Sequence, residues 1–153
     1  MCCVARCYLV GMIVRKATDS DAEQVAQLSF QLGYLVTSEE TARRILELSG
    51  NSEHAVLVAD EGGMLLGWIH VHLAHSLAVD GRVEVAGLVV DENHRGRGVG
   101  RVLMERAEIW AREKNCTSVR LRSNVLRGAA HLFYERLGYR ETKVQKAFQK
   151  QLL

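Results

Sequence analysis

An apolar strand that runs through a glycine loop directly into a long amphipathic helix is the feature that most restricts how this chain can fold. Residues 83–90 are almost wholly apolar. Arg95 to Gly100 then read RGRGVG, and Val99, Val102, Leu103, Ala107, Trp110 and Ala111 recur at helical spacing over four turns. A glycine loop in that position leaves the first backbone N–H groups of the helix and its positive dipole end free to hold a phosphate. Two nucleotide-binding patterns are excluded by residue identity. A Walker A loop requires Gly-Lys-Ser/Thr, whereas Gly100 is followed by Arg101 and Val102; a dinucleotide fingerprint requires a third glycine where Arg101 stands.

The remaining pattern reads as alternating strands and helices. A strand is expected over 13–17, followed by a helix to about Tyr34 that is capped by Asp19 or Ser20 and carries Val25, Leu28, Ser29 and Leu32 on one face. Thr37 and Glu40 have capping-box spacing ahead of a helix whose stripe is Ala42, Ile45, Leu46 and Ser49. His54 to Asp60 and Met64 to His75 flank Glu61-Gly62-Gly63 as a hairpin. Val119, Leu121 and Ser123 alternate with Arg120 and Arg122 as a strand, and a helix over 129–137 stops at Gly138. In the closing stretch, Val144, Phe148 and Leu152 suit one face of a strand or of a helix.

At 153 residues the chain has the length of one domain, and its apolar and charged content is that of a globular protein. Proline is absent, so turns must be built from Gly, Asn, Asp and Ser. The net charge of +2 does not suggest a nucleic-acid or membrane-surface binder. The apolar run from Cys7 to Val14 is too short to span a bilayer, stops at Arg15-Lys16 and lacks a small-residue cleavage site. A cytoplasmic location is therefore expected. Cys2, Cys3 and Cys7 have no histidine at zinc spacing, so neither a disulfide framework nor a metal site is read there. Met12 is a natural starting residue for the folded domain, which makes residues 1–11 a dispensable extension and 12–153 the functional domain.

The loop also fits an R/Q-x-x-G-x-G/A signature, and here the chain resembles the GNAT superfamily of acetyl-CoA-dependent N-acetyltransferases. GLVVDENHRGRGVGRVL carries the resemblance, and RSNVLRGAAHLFYERLGY is similar to the second conserved block. The resemblance implies an α/β fold: a central mixed, mostly antiparallel sheet with helices on both faces and two parallel strands, residues 83–90 and 117–123, splayed after a bulge. It further implies that the amides of Arg95, Gly96, Arg97, Gly98, Val99, Gly100 and Arg101 cradle the pyrophosphate of acetyl-CoA. Leu88, Val89 and Val90 would line the pantetheine arm, the first and last through backbone groups, with Asn124 and Tyr134 also directed at the donor.

Transfer to an amine needs a base. At pH 7 an ammonium with a pKa near 10.4 must give up its proton at a cost of roughly 4.6 kcal/mol. Glu84, eleven residues before Arg95, stands where the family often carries that base, and burial beside Ala86, Leu88 and Val90 would raise its pKa; the position also suits a solvated strand carboxylate. By resemblance, the N–H of Val90 stabilises the oxyanion and Tyr134 protonates the departing thiolate. A core aromatic is the alternative for Tyr134, and a strand-ending turn residue for Asn124. His70 and His72 share a strand face without completing a metal pattern, and Cys116 lacks an activating cation, so direct transfer without an acetyl-cysteine is expected.

Charge is unevenly spread. Residues 82–140 carry twelve basic and seven acidic side chains, while residues 17–63 carry nine acidic and two basic ones, which would attract a cationic acceptor if those carboxylates formed a patch. The expected activity is acetyl transfer to a primary amine: a small cationic amine, a protein lysine or an N-terminus. The alternative is a non-catalytic acetyl-CoA sensor. A nucleic-acid partner is disfavoured, because the aromatics near the arginines lie on core faces or in the family motif. The resemblance is compatible with a homodimer.

Overall fold

The computed structural model describes residues 11–153. The proposed extension, with Cys2, Cys3 and Cys7, lies almost wholly outside the described residues. The contacts divide the chain after Arg122 into two units.

The first unit is a five-stranded sheet with three helices. Its strands are β1 (Met12–Lys16), β2 (His54–Glu61), β3 (Met64–Ala74), β4 (Arg82–Val90) and β5 (Val119–Leu121), in spatial order β1-β2-β3-β4-β5. All neighbours are antiparallel except β4 and β5, which are parallel. The helices are α1 (Ala22–Phe30), α2 (Ser38–Ser49) and α3 (Val99–Glu113). The expected mixed, mostly antiparallel sheet with helices on both faces is therefore present.

The period-2 geometry of strands assigns the faces. Val58, Trp68 and Val89 are register partners, and Val58 and Val89 are buried with Val25, Leu28 and Ile45 of α1 and α2, so these helices cover one face. Ile69, Val71 and Val83 point to the opposite face, where α3 packs on β3 and β4 with Leu103, Met104 and Ala107 fully buried. Each Leu or Met side chain buried in this way contributes roughly 1.5–3 kcal/mol relative to exposure.

The caps show where local sequence decides and where it does not. Thr37 caps α2 as its spacing predicts: its hydroxyl oxygen accepts from the Glu40 N–H at 3.1 Å, and the Glu40 carboxylate accepts from the Thr37 N–H at 3.0 Å. The first helical segment is capped one position earlier than expected, by Thr18 ahead of a 3-10 turn over Asp19–Asp21. Asp21 is recruited by tertiary pairing. Arg15 of β1 donates two hydrogen bonds of 2.8 Å to its carboxylate and one of 2.9 Å to Asp60 of β2, tying two strands to the start of α1. On α2, Thr41 is buried in place of the expected Leu46, which is exposed.

The second unit, residues 123–153, contains α4 (Gly128–Arg136), which ends at Gly138 with a left-handed φ of 91°. Residues 140–153 form neither of the two structures that Val144, Phe148 and Leu152 allow. No helix among the described residues is long and apolar enough to cross a membrane.

Candidate active site

Of the parallel pair expected over 83–90 and 117–123, the second strand is shorter than expected: β5 ends at Leu121, while β4 runs on to Val90. β4 and β5 pair only at Val83–Val119, Glu84–Arg120 and Val85–Leu121. Immediately afterwards the β3–β4 register shifts: Val71 faces Val85 but His70 faces Gly87, leaving Ala86 as an extra, bulged residue. The bulge exchanges which edge each residue presents. Before it, the Val83 N–H donates towards β5, to the Ser118 carbonyl at 3.1 Å, so odd-numbered residues face β5. Beyond it, the Asp91 N–H donates back to Leu66 of β3 at 2.8 Å, so by strand alternation Leu88 and Val90 turn their N–H and C=O groups to the β5 side, where no strand pairs with them. The result is a stretch of β4 whose second edge has no strand partner among the described residues.

Val89 is turned the other way. It is 1% exposed, and its side chain sits in the core with Trp68, so it holds the strand in place without presenting backbone groups to the slot. Gly87 is required by close approach: a Cβ there would meet the Trp68 ring at 2.8 Å.

The glycine loop follows. A short 3-10 turn, Glu92–His94, leads to Gly96 (φ 77°) and Gly98 (φ 84°), both in the left-handed region that disfavours a side chain, with nothing within 4 Å of a Cβ built on either. Gly98 is the N-cap of α3, and the Val102 N–H closes the first helical bond to its carbonyl at 3.1 Å. The N–H groups of Val99, Gly100 and Arg101 precede that first bond and so have no partner within the helix, the usual condition for anion binding at a helix start. Arg97 donates to Glu61 at 2.9 Å and Arg101 to Glu105 at 3.0 Å, while Arg95 Nε reaches the Val90 carbonyl at 3.5 Å.

Gln31, which caps the C-terminus of α1, ties this loop to the helical face. It donates to Asp91 at 2.7 Å and accepts from the Glu92 N–H at 2.9 Å. The hydrogen bond from Gln31, with a further one from His94, holds the Asp91 carboxyl below its ordinary range.

Glu84 lies two residues before the bulge, on the face covered elsewhere by α1 and α2. Its surroundings differ from the apolar setting expected. Arg82 Nε is 3.4 Å, Arg122 Nη2 3.5 Å and Arg120 Nη1 3.9 Å from its carboxylate oxygens. Its cross-strand neighbour is His72, whose ring lies 5.5 Å from that of His54 and 6.1 Å from that of His70. The His54 Nδ1 and His70 Nε2 atoms are 3.0 Å apart. Burial, reinforced by the two neighbouring imidazoles, pushes His70 down to about 4, which keeps it neutral at pH 7. No group among the described residues is arranged to hold a metal ion.

In the second unit, burial pushes the Tyr134 phenol up, partly opposed by Arg127, so it remains a proton donor at neutral pH. Its ring packs edge-on against Phe133 and Tyr139. The Asn124 side-chain oxygen accepts from the Leu126 N–H at 2.9 Å, the turn role for this residue, while His131 Nε2 lies 2.9 Å from the Asn124 carbonyl.

A parallel β4–β5 pair, a bulge and a glycine-started helix after β4 are parts of the arrangement the sequence resemblance implied. Residues 21–139 match the acetyltransferase (GNAT) family. The chain belongs to that family. As a GNAT protein it is an acetyl-CoA-dependent acyltransferase, with acetyl-CoA as donor substrate. It is 29% identical over 136 residues to the aminoglycoside N(6')-acetyltransferase type 1 of Stenotrophomonas maltophilia, covering 85% of this chain and 87% of that one. It is 28% identical over 134 residues to the aminoalkylphosphonate N-acetyltransferase of Salmonella typhimurium, covering 84% and 85%. The crystal structure of glucosamine-6-phosphate N-acetyltransferase from Arabidopsis thaliana superposes with a TM-score of 0.77 at 25% identity, covering 92% of this chain and 99% of that one.

Four residues that contact Glu84 or the segment leading into the glycine loop were not singled out from the sequence: Gln31, Arg82, Arg120 and Arg122. The alternation of Arg120 and Arg122 with Val119 and Leu121 was visible. Its meaning was not, because only the parallel register sets both arginines beside Glu84.

Proposed function

We propose that this GNAT protein transfers the acetyl group of acetyl-CoA directly to a primary amine within a ternary complex. The observation that carries the reading is the free edge at Leu88 and Val90 placed against the open glycine loop at the start of α3. A pantetheine arm can pair with that edge as a further strand while its diphosphate takes the N–H groups of the loop and helix. Glu84 accepts the proton of the incoming ammonium, directly or through water. The amine nitrogen then attacks the thioester carbon, and the Val90 N–H stabilises the resulting oxyanion. The carbon–sulfur bond breaks, Tyr134 protonates the departing thiolate, whose conjugate thiol has a pKa near 8.5, and the second nitrogen proton passes to solvent, from which the phenol is reprotonated.

The acidic segment does not by itself define the acceptor. Many of its carboxylates are engaged: Asp21 and Asp60 by Arg15, Glu40 in a cap, Glu47 by Arg43 and Glu61 by Arg97. The relatives' names span a polycationic amine and a phosphonate-bearing one. The test incubates purified protein with acetyl-CoA and a panel of small amines, aminoglycosides and peptides, following loss of the thioester. Acetylated product from at least one amine supports the reading. Tight CoA binding without transfer to any of them replaces it with a sensor.

A further inference from the structure

Along β3, Trp68, His70 and His72 alternate with the fully buried Ile69 and Val71, so they share the face of the sheet that carries Glu84 of β4. Trp68 is the largest of them. It packs against the core cluster of α1 and α2 yet is only half-buried, and its ring reaches across to β4. A Cβ at Gly87 would meet the indole Cη2 at 2.8 Å and Cζ3 at 2.9 Å. Gly87 is not in the left-handed region, so what the glycine supplies here is room for the ring. The indole N–H is buried with no hydrogen-bond partner among the described residues. A phenylalanine filling the same space would carry no such unpaired donor, so packing alone does not account for a tryptophan at this position.

The place of the ring on β4 suggests what it receives. Gly87 lies between Glu84, which takes the ammonium proton in the proposed reaction, and the edge at Leu88 and Val90, against which the donor would pair. A nitrogen that serves both passes alongside Trp68. His70, the cross-strand partner of Gly87, is neutral at pH 7, so the imidazole next to the indole brings no charge that repels a cation. Among natural side chains an indole face attracts a cation best. We propose that Trp68 is a specificity-determining residue for the acceptor, its ring over Gly87 receiving the ammonium of the incoming amine through a cation–π contact and aiming it between Glu84 and the donor edge. This rests on the acetyl-transfer reading and adds the residue that selects a cation. The contact belongs to the ammonium and relaxes once Glu84 has taken the proton, so it acts on the KM of the amine and not on kcat.

The test uses Trp110→Phe, which leaves Trp68 as the one tryptophan, and replaces that residue biosynthetically with mono-, di- and trifluorotryptophan. Fluorine withdraws electrons from the ring face with little change in size. The probe is n-butylamine, almost wholly ammonium at pH 7, with 1-butanol as its neutral counterpart, each titrated into the CoA-loaded protein and followed by the ring's own fluorine resonance. The dissociation constant of butylammonium should rise stepwise along the series, by about threefold or more from mono- to trifluoro, while that of butanol stays level. Glu84 is the same throughout, so its attraction cancels. Gly87→Ala, which displaces the ring and keeps the indole, should weaken butylammonium by at least about fivefold in the monofluoro protein. Thermal melts coincident with the parent establish that each form folds. Equal butylammonium affinity along the series, a parallel rise for butanol, or a ring resonance that butylammonium does not move would overturn the proposal and leave amine acetylation standing. Binding is read without turnover, so a protein that acetylates no amine of the panel still answers the question, and the failure of one reading is told from the failure of the other.

Discussion

Replacing Gly98 with alanine separates the two demands placed on the loop, backbone conformation and room for a ligand. Gly98 has φ 84° and ψ 5°, and a Cβ added to it meets no atom within 4 Å, so the folded chain resists the substitution through backbone strain alone. An L-residue in the left-handed region costs about 1–2 kcal/mol, offset by roughly 0.4–1 kcal/mol because alanine loses less chain entropy on folding than glycine. The net destabilisation is at most about 1.6 kcal/mol, which in a domain of this size lowers Tm by up to about 6 °C. The new methyl group enters the space a diphosphate must occupy to reach the N–H groups of Val99, Gly100 and Arg101. The KM for acetyl-CoA should therefore rise by at least about tenfold, more than the stability change explains. Gly63 in the β2–β3 turn, with φ 93° and equally open surroundings, is the control: Gly63→Ala should lose similar stability and leave that KM alone. Thermal melts and steady-state kinetics on both variants decide the matter. If Gly98→Ala melts early yet binds acetyl-CoA as before, the loop is only a turn that starts a helix, and the cradle is wrong.

Glu84→Gln and Tyr134→Phe should each lower kcat by about a hundredfold or more in the thioester assay, and unchanged rates in both would discard their acid–base roles. Asp21 is 5% exposed and held below its ordinary pKa first by its hydrogen bonds from Arg15, so its contribution is complete above about pH 4 and is lost as pH falls through the depressed folded value. Asp21→Asn should cost about 2 kcal/mol in urea denaturation at pH 7, reduced from the cost of breaking a fully buried pair because Arg15 is partly exposed, and should flatten the acid limb of the stability profile. His70 works in the same direction in a higher window. Its folded value near 4 lies below the unfolded 6.5, so the unfolded chain takes up the proton first, and stability should fall by roughly 2 kcal/mol between those pH values after discounting for its solvent-exposed part. His70→Asn should remove that drop, and a profile identical to wild type would show that the imidazole is not held neutral.

What could be read from the sequence was decided within a few residues, and what could not depended on register. The capping box at Thr37 and Glu40, the hairpin around Gly62 and Gly63 and the stripe of α3 are local devices, and each stands where the spacing puts it. Asp21 shows the limit. Its pull towards Arg15, which also donates to Asp60, is a tertiary contact, and the cap stands at Thr18. The site itself turns on a single extra residue. Without the bulge at Ala86, the odd-numbered residues of β4 would continue to face β5, and Val89 in place of Leu88 and Val90 would meet the donor. No apolar periodicity marks such a change, because residues 85–90 contain no polar side chain to lose the beat. The family signature located the slot where composition was silent, but it carried no information about Arg82, Arg120 and Arg122. The placing of Arg120 beside Glu84 follows from a three-residue parallel pairing, the shortest ladder in the sheet, and a slip of one residue in β5 would turn Arg120 to the face of α3.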